Sequence, residues 1–132
     1  MKPLAVTSEQ PCPCDSGPRY GQCCQSLHQG QLAADAATLM RSRYCAFVLG
    51  KADYLRQTWH PDHCPADLEL DTSLTWLGLK IKDQKMTGAD SAEVEFVARF
   101  RKGGGRAQRQ HERSRFVREQ GRWLYVDGDL LD

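Results

Sequence analysis

No apolar run in this chain of 132 residues approaches the roughly 20 that a bilayer-crossing helix needs, which excludes a helical membrane protein. Excess charge is missing too. The 18 Lys and Arg stand against 17 Asp and Glu, for a net charge of +1. Bulk electrostatics therefore favour neither nucleic acid nor a membrane surface. There is no internal repeat or low-complexity tract, so solenoid and linker architectures drop out. Nothing like an HExxH helix or another recognisable catalytic signature is present. Met1-Lys2-Pro3-Leu4 carries no apolar run of the secretory kind, and the expected setting is a reducing cytoplasm. The length leaves room for one domain plus an appendage.

What the chain does have is concentrated cysteine. Cys12-Pro-Cys14 is followed, eight residues later, by Cys23-Cys24. The stretch 15–22 between them has one bulky aromatic side chain, Tyr20, and cannot build a hydrophobic core. It can wrap a metal. Zinc takes four ligands in a tetrahedron, and a closed thiolate site orders a short peptide that would otherwise stay unfolded. Disulfides are the competing arrangement. Adjacent Cys23 and Cys24 do not readily bridge each other, because the bond demands a set separation and dihedral, and crossed bridges to Cys12 and Cys14 are crowded. Free or redox-active thiols are a further alternative. The expectation is one zinc ion on Cys12, Cys14, Cys23 and Cys24, closed and structural rather than catalytic. His28 is a rival fourth ligand, since a helix running from residue 22 would put it on one face with Cys24. Arg19 and backbone N–H groups are the expected counterweights to four thiolates. Cys45, in an apolar helical stretch, reads as a small core side chain. Cys64 lies in a Pro-flanked loop and suggests no role.

The run Cys-Pro-Cys-Asp-Ser-Gly-Pro-Arg-Tyr-Gly-Gln-Cys-Cys at 12–24 resembles the SEC-C motif, the small zinc finger at the tail of the SecA translocase motor. The resemblance continues through Met40-Arg41-Ser42-Arg43-Tyr44-Cys45-Ala46-Phe47, Thr58-Trp59-His60-Pro61, His111-Glu112-Arg113-Ser114-Arg115-Phe116 and Gly121-Arg122-Trp123-Leu124-Tyr125. Together these resemble the YchJ-like family, small bacterial proteins mostly of unknown function. The resemblance implies a SEC-C finger joined to a domain similar to the nuclear-transport-factor and ketosteroid-isomerase fold, with Cys or His at the fourth ligand position. Two departures stand out. Asp15 replaces the usual glycine after the second cysteine, and Cys45 stands where a small hydroxyl residue is common.

Residues 1–11 read as a loose leader. A helix should start after Asp35, whose carboxylate can cap free N–H groups, and stop at Gly50. Met40, Tyr44, Phe47 and Val48 form its apolar stripe. A shorter helix over 52–58 ends before Pro61, which biases His60 away from helical angles. Period-two alternation then predicts antiparallel strands over 75–82, 92–100, 110–118 and 122–126. In the first, Thr75, Leu77, Leu79 and Ile81 share a face. Gly103-Gly104-Gly105 and Gln120-Gly121 supply turns. Helices first and strands afterwards define an α+β fold: a curved antiparallel sheet with packed helices, cone-shaped by resemblance, plus a small N-terminal zinc finger. The expected units are 1–30 for the finger and 31–132 for the α+β domain.

Two further constellations carry possible chemistry. Alternation puts Glu112 on the Phe116 face of its strand, opposite His111, Arg113 and Arg115. A buried carboxylate needs a cation or donors, and Arg43, bordering the helical stripe, is the expected partner. The pair is either a structural lock of helix to sheet or a pocket acid or base. Trp59, His60, Trp76, Trp123, Tyr125 and Asp127 form the second group, lining either a filled core or a ligand cavity. The stretch 101–122 also holds eight Lys or Arg, which read as a solvated sheet edge or as an anion-binding patch. The resemblance implies a binding or adaptor module with a protein partner. A pocket enzyme acting on a small molecule is the alternative, and nucleic-acid binding is a weaker third.

Overall fold

The computed structural model describes residues 6–131. The chain opens with a 3-10 turn at Tyr20–Gln22 and a short helix α1 at Cys24–His28. Helices α2 (Ala36–Leu49) and α3 (Ala52–Gln57) follow, then strands β1 (Leu74–Gly88), β2 (Ser91–Lys102), β3 (Ala107–Glu119) and β4 (Arg122–Leu130). The strands form one antiparallel sheet in the order β1-β2-β3-β4, a meander. This is the expected α+β class.

Local chemistry sets the helix ends. The Asp35 carboxylate accepts from the Thr38 N–H at 2.8 Å, and Gly50 closes α2 at φ +73°, a left-handed conformation that a side chain would resist. The β3–β4 hairpin turns on Gln120 and Gly121, both at positive φ, the primed turn whose twist matches its strands. All four strands run longer than their apolar alternation. β1 adds the largely polar segment 83–88, exposed throughout, which pairs with β2 and is tied to α2 through Gln84 and to β3 through Asp83.

One expectation about β1 fails for an identifiable reason. A register shift between Trp76 and Gly78 makes Leu77 a bulge. Trp76 therefore faces the core together with Leu79, and Leu77 drops out of the inward set. The stripe of α2 is also shifted. Leu39, Met40, Tyr44, Cys45 and Val48 are buried, while Phe47 is only half-buried and packs sideways against Trp76.

The core is continuous across the expected boundary at residue 30. Cys12, Cys14, Tyr20 and Cys24 belong to the same buried cluster as Leu39, Met40, Tyr44, Val94, Phe96 and Phe116. Part of the expected leader is built into the finger: Tyr20 N–H donates to Gln10 C=O at 2.8 Å and Gly21 N–H to Ser8 C=O at 2.9 Å. The rest of it, residues 1–5, lies outside the described residues. The free edge of β4 is covered by the chain at 58–60, where Trp59 bridges Tyr125 in parallel.

Candidate metal centre

The N-terminal loop folds back through Cys12 N–H to Pro18 C=O at 3.0 Å and Asp15 N–H to Cys12 C=O at 3.1 Å. Asp15 sits at φ +66°, which explains why glycine is the usual residue there; aspartate is among the few others that tolerate it. This turn points Cys12 and Cys14 at Cys23 and Cys24, which flank the start of α1. The four Sγ atoms lie within 4.8 Å of one another. Cys12, Cys14 and Cys24 are buried, Cys23 is partly exposed, and every cysteine is a free thiol. The disulfide arrangement is thus not the one found.

The sulfurs communicate. Hydrogen bonding from Cys14, then Cys24 and Cys45, drives the Cys12 thiol far down, and the donor role to Cys12 pushes Cys14 up to about 11 and Cys24 higher still. A metal ion would take all four as thiolates and release the protons that the thiols carry. Ser16 Oγ lies 3.1 Å from Cys14 Sγ and 3.5 Å from Cys23 Sγ, the position of a hydroxyl donor to thiolate. Arg19, the expected counterweight, instead pairs with Glu9 at 2.7 Å on the surface.

His28 does not join the sulfurs. Its Nδ1 accepts from the Tyr20 hydroxyl at 2.7 Å and its Nε2 donates to the Ser42 carbonyl at 2.9 Å. Both ring nitrogens are used in tying the finger to α2, and burial pulls the His28 pKa below its ordinary value. Cys45 was missing from the expected set. It is fully buried, as a core residue should be, but its Sγ lies 4.0 Å from that of Cys12. No periodicity or spacing in the chain connects position 45 to position 12.

Arg43 and Glu112 do not pair directly. Arg43, 3% exposed, donates through Nη1 to Leu55 C=O at 2.9 Å and to Thr58 Oγ1 at 2.7 Å. Its guanidinium lies against two rings, 5.0 Å from the centroid of Trp59 and 4.6 Å from that of Tyr125. Burial lowers its pKa to about 10, so it stays charged at neutral pH. Glu112 accepts from Ser114 Oγ at 2.5 Å, Gln110 Nε2 at 3.0 Å and Tyr125 Oη at 3.2 Å. Tyr125 is the link: its ring faces the cation and its hydroxyl donates to the carboxylate. Neutral donors thus do the work expected of Arg43.

The aromatic group separates into different surroundings. Trp123 is core, with the Arg118 guanidinium 5.1 Å from its ring centroid. Trp59 donates to Val126 C=O at 3.2 Å and walls the Arg43 site. His60 reaches Glu119 at 3.1 Å, at the rim. Trp76 lies on the opposite side, against Tyr44 and Phe47. Asp127 is on the outer sheet face, bound to Arg115 at 2.5 Å. Arg113 there pairs with Asp83, Glu93 and Glu95, and Arg118 with Asp90. Acids from other strands and from the β1–β2 turn thus neutralise part of the expected basic patch.

These features define a class: an α+β domain with a helix-packed antiparallel sheet, carrying an N-terminal four-cysteine finger. A family described as "YchJ, middle NTF2-like domain" matches residues 35–128. The chain is 54% identical over 128 residues to a UPF0225 protein of Cupriavidus pinatubonensis, covering 92% of this chain and 89% of that one. It is 53% identical over 123 residues to a UPF0225 protein of Xanthomonas campestris, covering 92% and 95%. The solution structure of a SEC-C motif containing protein from Rhodopseudomonas palustris superposes with a TM-score of 0.81 at 36% identity, covering 92% of this chain and 98% of that one. The chain belongs to the YchJ-like, UPF0225 family.

Proposed function

We propose that this protein is a binding or adaptor module whose finger is held by one structural zinc ion on Cys12, Cys14, Cys23 and Cys24. The observation that carries the reading is the donor set. Four sulfurs converge within 4.8 Å. Zinc–sulfur bonds of about 2.3 Å separate tetrahedral ligands by about 3.8 Å. The Cys14–Cys23 and Cys23–Cys24 sulfur distances are 3.5 and 3.9 Å. Four thiolates fill a tetrahedron and leave no position for substrate, so the metal supplies order rather than reaction. Thiolates also need a reducing compartment, which fits the cytoplasm.

A protein partner suits the surface beside the finger. A groove of about 330 Å³ runs between Leu27, Leu32, Ala33 and Trp123, and Leu32 is 54% exposed at its lip. Glu112 supports this reading over acid–base chemistry, because neutral donors hold both its oxygens.

Elemental analysis of protein purified without added metal should give about one zinc per chain. Cys14→Ser should lose it, whereas His28→Ala should leave the stoichiometry unchanged. Capture of partners by the intact protein, but not by Cys23→Ser or by a Leu32→Glu variant that retains zinc, would support the adaptor role. Full zinc retention by Cys14→Ser would refute the ligand set.

A further inference from the structure

A cleft of about 290 Å³ opens between the sheet and Met40, Tyr44 and Phe47 of α2. This is near the lower end of ligand-pocket volumes, roughly 300–1,000 Å³. Its walls are aromatic. Trp76 is its centre, with Tyr44 at a ring separation of 5.6 Å and Phe47 at 5.9 Å, and Phe96 lines the sheet side. The bulge at Leu77 is what turns Trp76 inward here. Gln110 lies on the β3 side. Its amide nitrogen is committed to Glu112 at 3.0 Å, which leaves the amide oxygen as an acceptor.

Two carboxylates sit on the lining, Glu69 and Asp71. Asp71 accepts from the Ser73 N–H at 2.9 Å and the Ser73 hydroxyl at 2.5 Å, which fixes it in place. Lys102 is the cation at this edge, 3.8 Å from Asp71 and itself exposed. Glu69 is exposed and has no ion pair among the described residues. Apart from Lys102 at the rim, the polar features of the cleft share one sign: ring faces, an amide oxygen and two carboxylates. Ring faces attract cations through their quadrupole, and carboxylates repel anions.

We propose that this cleft binds a small organic cation, an aryl- or alkylammonium whose apolar body lies against Trp76 and whose N–H groups meet Gln110, Glu69 or Asp71. This is a site separate from the finger, whose cysteines do not line it.

The test uses the zinc-loaded full chain and three matched probes: phenethylammonium, the neutral 2-phenylethanol and the anionic phenylacetate. Proton–nitrogen NMR should show saturable shifts of the Trp76 indole N–H with phenethylammonium. The alcohol should bind roughly five- to thirty-fold more weakly, the range set by desolvated cation–ring contacts. Phenylacetate should give no saturable shift. Glu69→Gln, an exposed change that leaves the core intact, and Asp71→Asn should each weaken the ammonium several-fold and leave the alcohol unchanged. Equal affinity for ammonium and alcohol would overturn the proposal, as would saturable shifts confined to residues elsewhere or no saturable shift at all.

Discussion

His28 shows how a residue chosen for one role by its spacing fills another by its contacts. Four residues after Cys24 it could reach a metal, but Tyr20 and Ser42 occupy both of its nitrogens. As the neutral ring it accepts from one and donates to the other; protonated, it can only donate, and the Tyr20 contact loses its acceptor. Burial lowers its folded pKa from 6.5, so between the two values the unfolded chain binds more protons than the folded one. Its contribution is complete above 6.5 and is lost as pH falls from there toward the lower folded value. We predict that His28→Gln flattens the dependence of thermal midpoint on pH between about 7 and 5 relative to the parent chain. An identical slope in both proteins would mean that the acid sensitivity comes from other groups. The thiol cluster was legible in the chain because so little else surrounds it. Cys45 was not, because its nearness to Cys12 comes from how α2 docks.

At the level of elements, caps and alternation were readable and register was not. Asp35, Gly50 and Gln120-Gly121 act locally, so their side chains or φ preferences announce the ends they make. The bulge at Leu77 answers to the pairing of β1 with β2, and its one mark in the sequence is Gly78, which sits beside it at φ +154°. The same holds for Glu112. Its inward face followed from Phe116, but its partners come from β3 itself and from Tyr125 on β4. Space for that carboxylate is made by Gly128, opposite Ser114: a Cβ there would collide with the Glu112 carboxyl group. Gly128→Ala should therefore cost about 1–3 kcal/mol in urea unfolding, the range for overpacking a buried site. The clash predicts coupling as well. Combined with Glu112→Ala, which removes the colliding atoms, the loss should fall short of the sum of the single losses by at least about 0.5 kcal/mol. Strict additivity would show that the two positions do not meet.

The whole molecule depends on how far the finger and the sheet domain are one body. A core-less cysteine loop followed by an amphipathic helix and alternating strands suggests two units, one held by metal and one by burial. The chain has no way to display that the two interiors merge. Cys12, Cys14 and Cys24 are nevertheless packed against α2 and the sheet, with Tyr20 beside them. His28 spans the same junction to Ser42, and Cys45 brings α2 to within 4.0 Å of Cys12. An ion that binds only the folded finger must then stabilise everything that unfolds with it. Two measurements distinguish one body from two: thermal unfolding followed by far-ultraviolet circular dichroism, which reads the sheet, and by a zinc-sensitive dye, which reads the finger. We predict coincident transitions in the loaded protein. We also predict a sheet midpoint lowered by many degrees after chelation or in Cys14→Ser, since structural zinc sites contribute on the order of 10 kcal/mol in small fingers. A finger that released zinc well below an unshifted sheet transition would instead describe two units joined by a passive contact, and the continuous core would be packing without cooperativity.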